Sequence, residues 1–389
     1  MNQKRVLLFT MGGWSHSNEA IIQQLESKLP RARIRVVDLL EQLKRDKRAW
    51  LAYLLDLPVM AWQALLDRGF DKSNLLYAPA TSRFINHLAR RITREFQPDF
   101  TVQTTTRFDA SSDDVPHFTI IDVTLASVRQ RYIDLYQSTE RALDHLHAFQ
   151  HRVFQRSTAI FAMGQYVRHS LIWDYRMPPR RVFAIGSGPN IEMGERAKLV
   201  GSKKVLFVGT DWKRKGGPVL LDAFRMIRQY HPDAELFIVG CTPDIQEHNV
   251  HVIGRVARED LHLYFTGARV FALPTELEAF GIAFVEAMHF GLPILGTAIG
   301  AVPELVEIGV NGYLVKPGNA EALARALDRL LDDDKLALQM GEASYQRAKR
   351  YTWDRAGDIL CGKMIELARE NPRIPDVRAP KFKLEQLGV

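Results

Sequence analysis

Cysteine is nearly absent from this chain of 389 residues, in which only Cys241 and Cys361 occur. Far apart and without any C-x-x-C spacing, they make neither a disulfide framework nor a zinc site, and they fit a reducing compartment. Long apolar runs are missing as well. The best candidate, "WLAYLLDLPVMAWQALL", is interrupted by Asp56 and Pro58, short of the ~20 apolar residues that a spanning helix needs. The opening "MNQKRVLLFTMGG" carries an apolar run only from Val6 to Met11 before two glycines, which reads as a strand rather than a signal peptide. No short repeat or low-complexity tract occurs, and no His or Cys cluster has metal-ligand spacing. These absences exclude a disulfide scaffold and a membrane-spanning protein. They lead to the expectation of a cytoplasmic chain.

What is present is ordinary globular material, 46% apolar and 25% charged, in a length that suggests two domains. The net charge of +7 favours anionic partners such as nucleotides, phospholipid headgroups or nucleic acid. The first half opens with strand-like "RVLLFT", a glycine turn, a helical "SNEAIIQQLESKL" and a second strand, "ARIRVVDL", a β-α-β beginning that marks a parallel sheet. A long helical insertion is expected over about 41–95, after which strands return at "DFTVQTT", "HFTIID", "TAIFAM" and "RVFAIG". The second half alternates more regularly through "KVLFVG", "AELFIVG", "VHVIG", "RVFALP", "PILGT" and "GYLV". The joint falls in the polar "GPNIEMGERAKLVGSKK". Expected boundaries are 1–190 and 191–355, with 356–389 a helix and tail crossing back to the first domain.

One residue does not fit its surroundings. In "TELEAFGIAFVEAMHFGLP", Glu286 lies in a helical run too apolar on every side for a surface helix. A lone buried carboxylate costs several kcal/mol or more, roughly, by transfer arguments, so Glu286 must face a partner, a ligand or water in a cleft. Glu278 precedes it by eight residues, with Phe280 and Gly281 between, where a loop turns into the helix that Ile282 opens. The amides at such a helix start form a seat for phosphate. A carboxylate two turns later suits a vicinal diol, as acidic residues do for ribose in dinucleotide folds. An ion pair across a domain core would satisfy the same carboxylate. A second loop, in "VLFVGTDWKRKGGPVLLDAF", leaves a strand at Gly209, carries Lys213, Arg214 and Lys215, and enters a helix through two glycines, which is the order of a phosphate site.

The succession of the "RKGG" loop, "EAFGIAFVE" and "GAVPELVEIGVNGYLVKPGN", over about 205–353, resembles the donor half of retaining glycosyltransferases of family 4. That resemblance implies an α/β protein of GT-B type, with two doubly wound Rossmann-like domains facing across a cleft. It also implies that Glu278 contacts the transferred sugar, that Phe280 and Gly281 lie beside it and the diphosphate, and that Glu286 holds the nucleotide ribose. Lys215 stands where the family has its diphosphate lysine. Many members carry an arginine directly after the first strand's glycine, where this chain has Thr210, and Arg214 is taken as its substitute. In the first half, Gly12 and Gly13 match the family's glycine loop near the diphosphate. The family often has a histidine near the cleft end of a middle strand. Here His117 begins that strand and is read as structural, while Asp122 at its end is the better cleft residue.

The implied activity is retaining transfer of a hexose from a nucleoside-diphosphate sugar, a UDP-sugar slightly favoured, to the hydroxyl of a glycan, lipid-linked or small-molecule acceptor. No metal and no cofactor are expected, because Lys215, Arg214 and helix amides supply positive charge to the leaving phosphate. Nucleic acid is not an expected partner. The alternatives are a non-catalytic nucleotide-sugar sensor or partner subunit, and a sugar-nucleotide epimerase of similar architecture. Asp332-x-Asp334 resembles the metal motif of a different glycosyltransferase fold but reads as a solvated helix end. A basic stretch from Lys28 through Lys44, Arg45, Lys47 and Arg48, running into "WLAYLLDLPVMAW", has the order of an interfacial anchor for peripheral contact with the inner face of a membrane, and a solvated strand followed by an ordinary core helix explains it as well.

Overall fold

The computed structural model describes residues 3–13, 17–49, 51–52, 54–58, 79–136, 140–197 and 199–370. Its framework is two six-stranded sheets in which every pairing is parallel. The first comprises β1 (Arg5–Thr10), β2 (Arg33–Asp38), β3 (Phe100–Gln103), β4 (His117–Ile121), β5 (Ala159–Ala162) and β6 (Val182–Ala184), ordered β2-β1-β3-β4-β5-β6. The second comprises β7 (Lys204–Val208), β8 (Glu235–Val239), β9 (Val250–Gly254), β10 (Val270–Leu273), β11 (Ile294–Thr297) and β12 (Gly312–Val315), ordered β12-β11-β10-β7-β8-β9. Central strands such as β1 and β10 are buried on both faces, which is why they read as continuous apolar runs and not as alternating ones.

The strand order determines where ligands can enter. In an open parallel sheet the crevice opens where the order reverses, outside the carboxyl ends of the strands. In the first sheet that point lies between β1 and β3, so the loops carrying Gly12–Gly13 and Thr104–Arg107 flank it. In the second it lies between β7 and β10, and the flanking loops carry Lys215 and Glu278. Gly12, Gly13, Lys215 and Glu278 thus follow the strands that flank the two switch points, whereas Asp122 follows β4.

The chain then ties its halves together. The helix Trp353–Glu370 packs on the helix Ser17–Lys28 of the first half, with Lys28 Nζ at 2.5 Å from Asp354 and 2.7 Å from Asp358. Glu304, on the short helix Val302–Leu305, accepts the amides of Gln165 and Tyr166 at the start of the helix Gln165–Trp173. Asp56, read in the sequence as the interruption of an apolar run, is buried and accepts the amides of Ala80 and Thr81 at 2.9 and 2.7 Å, capping the helix Pro79–Phe96. Within the expected insertion and anchor, Trp50, Tyr53 and 59–78 fall outside the described residues, as does the tail from 371. Among the described residues no helix is long and apolar enough to cross a membrane. Burial pushes both thiols up to about 11, so neither cysteine is a nucleophile at neutral pH.

Candidate active site

The second switch point is built by two loops that zip together. Arg214's carbonyl accepts the amide of Glu276 at 2.8 Å and the hydroxyl of Thr275 at 3.2 Å. Its guanidinium lies 3.2 Å from Asp211 Oδ2 and donates to the Leu277 carbonyl at 3.1 Å. Arg214 therefore braces the loop that carries Glu278. Gly216, at φ 75°, makes the approach feasible, since a Cβ there would stand 1.9 Å from the Pro274 carbonyl oxygen. Gly209 ends β7 next to the Lys215 side chain.

Lys215 Nζ meets Glu278 Oε2 at 2.6 Å, with the two side chains only 14% and 8% exposed. Gly300, at φ 53°, comes so close to this loop that a Cβ would lie 2.1 Å from the Glu278 carbonyl oxygen. Three residues after Glu278, Gly281 caps the helix Ile282–His289 in the left-handed region, φ 95°, with no side chain bonded to the helix start. Ile282, the first helical residue, is half-buried. The side chain of Phe280 is buried, its ring edge-on to Tyr351 at 6.1 Å, so what it offers the site is its backbone.

Glu286 is 5% exposed and has a partner that the sequence did not reveal: its Oε1 accepts the amide of Asn190, in the linker between the sheets, at 3.0 Å. Burial pushes its carboxyl up to about 7, against the pull of that amide and of nearby Arg258. Glu286 is neither a plain core ion pair nor free.

On the facing side, Gly13, Thr104, Thr106, Asp122 and Gln150 line a cavity of about 250 Å³. Gly12, at φ 70°, donates its amide to Asp38 at 2.8 Å, whereas Gly13 is open. Asp122 is half-buried at the end of β4. His117, at the start of that strand, is buried and bonded at both ring nitrogens, to Thr101 at 2.7 Å and Gln103 at 3.0 Å. Burial lowers its pKa to about 4, so it is a neutral structural residue, as the sequence suggests. Tyr166 joins the halves: burial raises its phenol above the usual range, and the charges of Asp122 and Glu278 both act in the same direction. Asp333 caps the helix Asp334–Ala348 and Asp334 pairs with buried Arg269, so this acidic run is structural. Among the described residues no group of three or more His, Cys, Asp or Glu could hold a metal ion.

Two doubly wound parallel sheets with facing switch points define a GT-B-type protein. Residues 191–347 match the family model described as glycosyl transferases group 1, so the second half carries a domain of that group. Similar curated proteins include a D-inositol 3-phosphate glycosyltransferase of Corynebacterium aurimucosum, 31% identical over 239 residues that span 54% of this chain and 56% of the relative. A phosphatidyl-myo-inositol mannosyltransferase of Mycobacterium leprae is 33% identical over 185 residues, 43% of this chain and 49% of the relative. The match thus spans about half the length of these curated relatives. Among solved structures, sucrose-phosphate synthase of Thermosynechococcus elongatus superposes with a TM-score of 0.73 at 15% identity, covering 95% of this chain and all of that one. Anabaena HepE in complex with UDP and glucose gives 0.64 at 17%, covering 94% and 100%. At these identities the likeness is one of fold.

Asn190, Arg258, Tyr166 and Trp353 are neighbours of the site that the sequence does not reveal, and the same holds for the role of Glu304. Each acts through a contact between segments distant in the chain, for which local spacing carries no signal.

Proposed function

We propose that the protein is a retaining glycosyltransferase that moves a sugar from a nucleoside-diphosphate sugar, a UDP-sugar by preference, to an acceptor hydroxyl without a metal. The observation that carries this reading is the Lys215–Glu278 pair at 2.6 Å beside the open start of the helix Ile282–His289. A cation and free helix amides suit the leaving diphosphate, Glu278 suits the sugar hydroxyls, and Glu286, two turns along, suits the ribose. As the glycosidic bond breaks, negative charge collects on the phosphate while the anomeric carbon becomes oxocarbenium-like. Lys215 stabilises the first, with Arg214 holding the loop. The acceptor hydroxyl arrives on the same face, and a phosphate oxygen takes its proton.

Residues 1–190 would bind the acceptor and 191–355 the donor, with the described part of 356–389, up to Glu370, returning to the first half. The cavity beside Asp122 suits a small hydroxyl-bearing acceptor, in line with relatives named for inositol phosphate. A cytoplasmic chain with peripheral contact at an anionic membrane face is part of the same reading.

The test is incubation with UDP-, GDP- and ADP-sugars, following release of the nucleoside diphosphate. Turnover with one of them is expected. A nucleotide-sugar sensor would instead be stabilised against melting, by about 2.7 kcal/mol at ~100 times the dissociation constant, and would release nothing.

A further inference from the structure

Asn190 is held at three of its polar groups. Its amide donates to Glu286 Oε1 at 3.0 Å, its side-chain oxygen accepts the indole N–H of Trp353 at 3.0 Å, and its carbonyl accepts Arg258 Nε. The residue is only 6% exposed. Two positions earlier, Gly188 lies so near the same tryptophan that a Cβ would stand 2.4 Å from the Trp353 backbone nitrogen and 2.7 Å from its ring carbon Cδ1. The linker is therefore seated on Trp353 at the very point where it meets Glu286.

A backbone amide aims where its peptide plane points, and a hydrogen bond weakens steeply once its angle falls below about 120°. Something must fix that plane. We propose that Trp353 and Asn190 are positioning residues for the donor site: the bond between their side chains fixes the Asn190 amide against Glu286, and so orients the carboxylate that meets the nucleotide ribose. The inference rests on the reading of Glu286 given under Proposed function.

The chemistry follows from burial. Desolvation drives Glu286 toward its neutral form, and the Asn190 amide, with Arg258, opposes it. Other neighbours bring no such help. His289, on the same helix, bonds the Tyr351 carbonyl. The helix Asp334–Ala348, which packs on this one, buries Ala337, Met340, Gly341, Ser344 and Ala348. In the short helix Val302–Leu305 the buried residues are Val302 and Leu305, and its Glu304 is engaged with Gln165 and Tyr166. The β11 strand is buried throughout and carries no charged residue. Loosening the amide therefore leaves Arg258 as the remaining opposition, and the carboxyl titrates at higher pH.

The experiment compares the full-length protein with Trp353→Phe, which keeps a ring and loses the indole donor, and with Asn190→Ala, which loses the acceptor. Each is paired with its own Glu286→Gln counterpart, and the difference in melting temperature within each pair is followed from pH 5 to 9. UDP, GDP and ADP affinities are measured over the same range. In the parent the slope of that difference against pH should fall to zero with a midpoint near pH 7, where the folded carboxyl ionises. In both clasp variants its midpoint should move up by about half a pH unit or more, as expected for one weakened hydrogen bond. Affinity for the preferred nucleotide should fall roughly 2- to 5-fold at pH 7 and recover toward pH 9. An unmoved midpoint in both variants, with any loss of affinity independent of pH, would show that Trp353 merely packs and would overturn the proposal. If Glu286→Gln in the parent leaves nucleotide affinity unchanged, the ribose reading fails instead, while the midpoint still judges the clasp. Should Trp353→Phe fold poorly, Asn190→Ala gives the same reading.

Discussion

Lys215 Nζ and Glu278 Oε2 stand 2.6 Å apart across the two loops of the second switch point, and each is the other's charge partner in the donor-free protein. Lys215→Ala therefore does two separable things. On the proposed reading it removes the cation that would face the leaving diphosphate, with an expected loss in kcat of about 10²–10³, and it strands a buried carboxylate, which costs about 3 kcal/mol or more in stability. The double variant Lys215→Ala/Glu278→Ala should regain much of that stability in denaturant unfolding while staying inactive. Equal instability of the single and double variants would show that the pair is not what the two residues are for. Glu278→Ala alone should depress transfer and spare binding of free nucleotide.

Glu286 makes stability and ligand binding respond to pH in opposite directions. Its carboxyl lies near 7 in the folded protein against 4.5 ordinarily, so the folded state holds a proton that the unfolded chain has released. Stability from this group is complete below pH 4.5 and is lost as pH rises through 7, by roughly 3 kcal/mol at most. Glu286→Gln should thus melt near the parent at pH 5 and above it at pH 8, while binding nucleotide more weakly if, as proposed, the carboxylate meets the ribose hydroxyls. A Gln variant that melts below the parent at pH 8, or binds nucleotide equally well, contradicts this assignment.

The bond from Glu304 to the amides of Gln165 and Tyr166, at 2.7 and 2.5 Å, is an N-cap supplied by the other half of the molecule. The helix's own N-cap position is Gly164, which has no side chain to offer. Glu304→Ala should speed hydrogen exchange at Gln165 and Tyr166 and cost about 1 kcal/mol, with the halves less firmly apposed. Unaltered exchange at those two amides would mean that the cap forms only transiently.

Part of the expected membrane anchor lies on the outside, although Lys28 is paired with Asp354 and Asp358, and Ala49, Ala52 and Asp56 are buried. Lys44, Arg45, Lys47 and Arg48 are exposed, and beyond them Leu51, Leu54, Leu55 and Leu57 are 61, 56, 71 and 51% exposed. Flotation with anionic vesicles should recover the protein at low salt and lose it at high salt, since attraction to a charged surface is screened. Absence from anionic vesicles at low salt ends the proposal.

How much of this was legible depended on whether the cause was local. The parallel strands were readable because burial on both faces demands continuous apolar runs, and "TAIFAM" and "RVFALP" contain β5 and β10, which are buried at every residue. Glu286 was readable because a carboxylate contradicted its neighbours. His117 was readable from its position at the wrong end of β4. By contrast, the bond between Asn190 and Trp353 joins a linker to a helix start 163 positions away, and a chain-local pattern says nothing of it. Asp56 shows the same limit, since its capped helix begins in residues that follow a long intervening stretch.

The final prediction concerns what charge drives the leaving group away. A departing diphosphate needs positive charge, from a divalent cation held by carboxylates or from fixed protein cations and helix amides. Lys215 and the uncapped start of the helix Ile282–His289 offer the second source at the place where Glu278 and Glu286 would hold the sugar and ribose. Three nearby or motif carboxylates are engaged otherwise: Asp333 caps a helix, Asp334 pairs with Arg269, and Asp211 is bonded to Arg214. Transfer should therefore continue in excess EDTA at close to its full rate, while Lys215→Ala abolishes most of it and added magnesium does not restore it. Activity that disappears with EDTA and returns with magnesium or manganese would place the driving charge on a metal ion, and would move Lys215 from catalysis to the holding of Glu278.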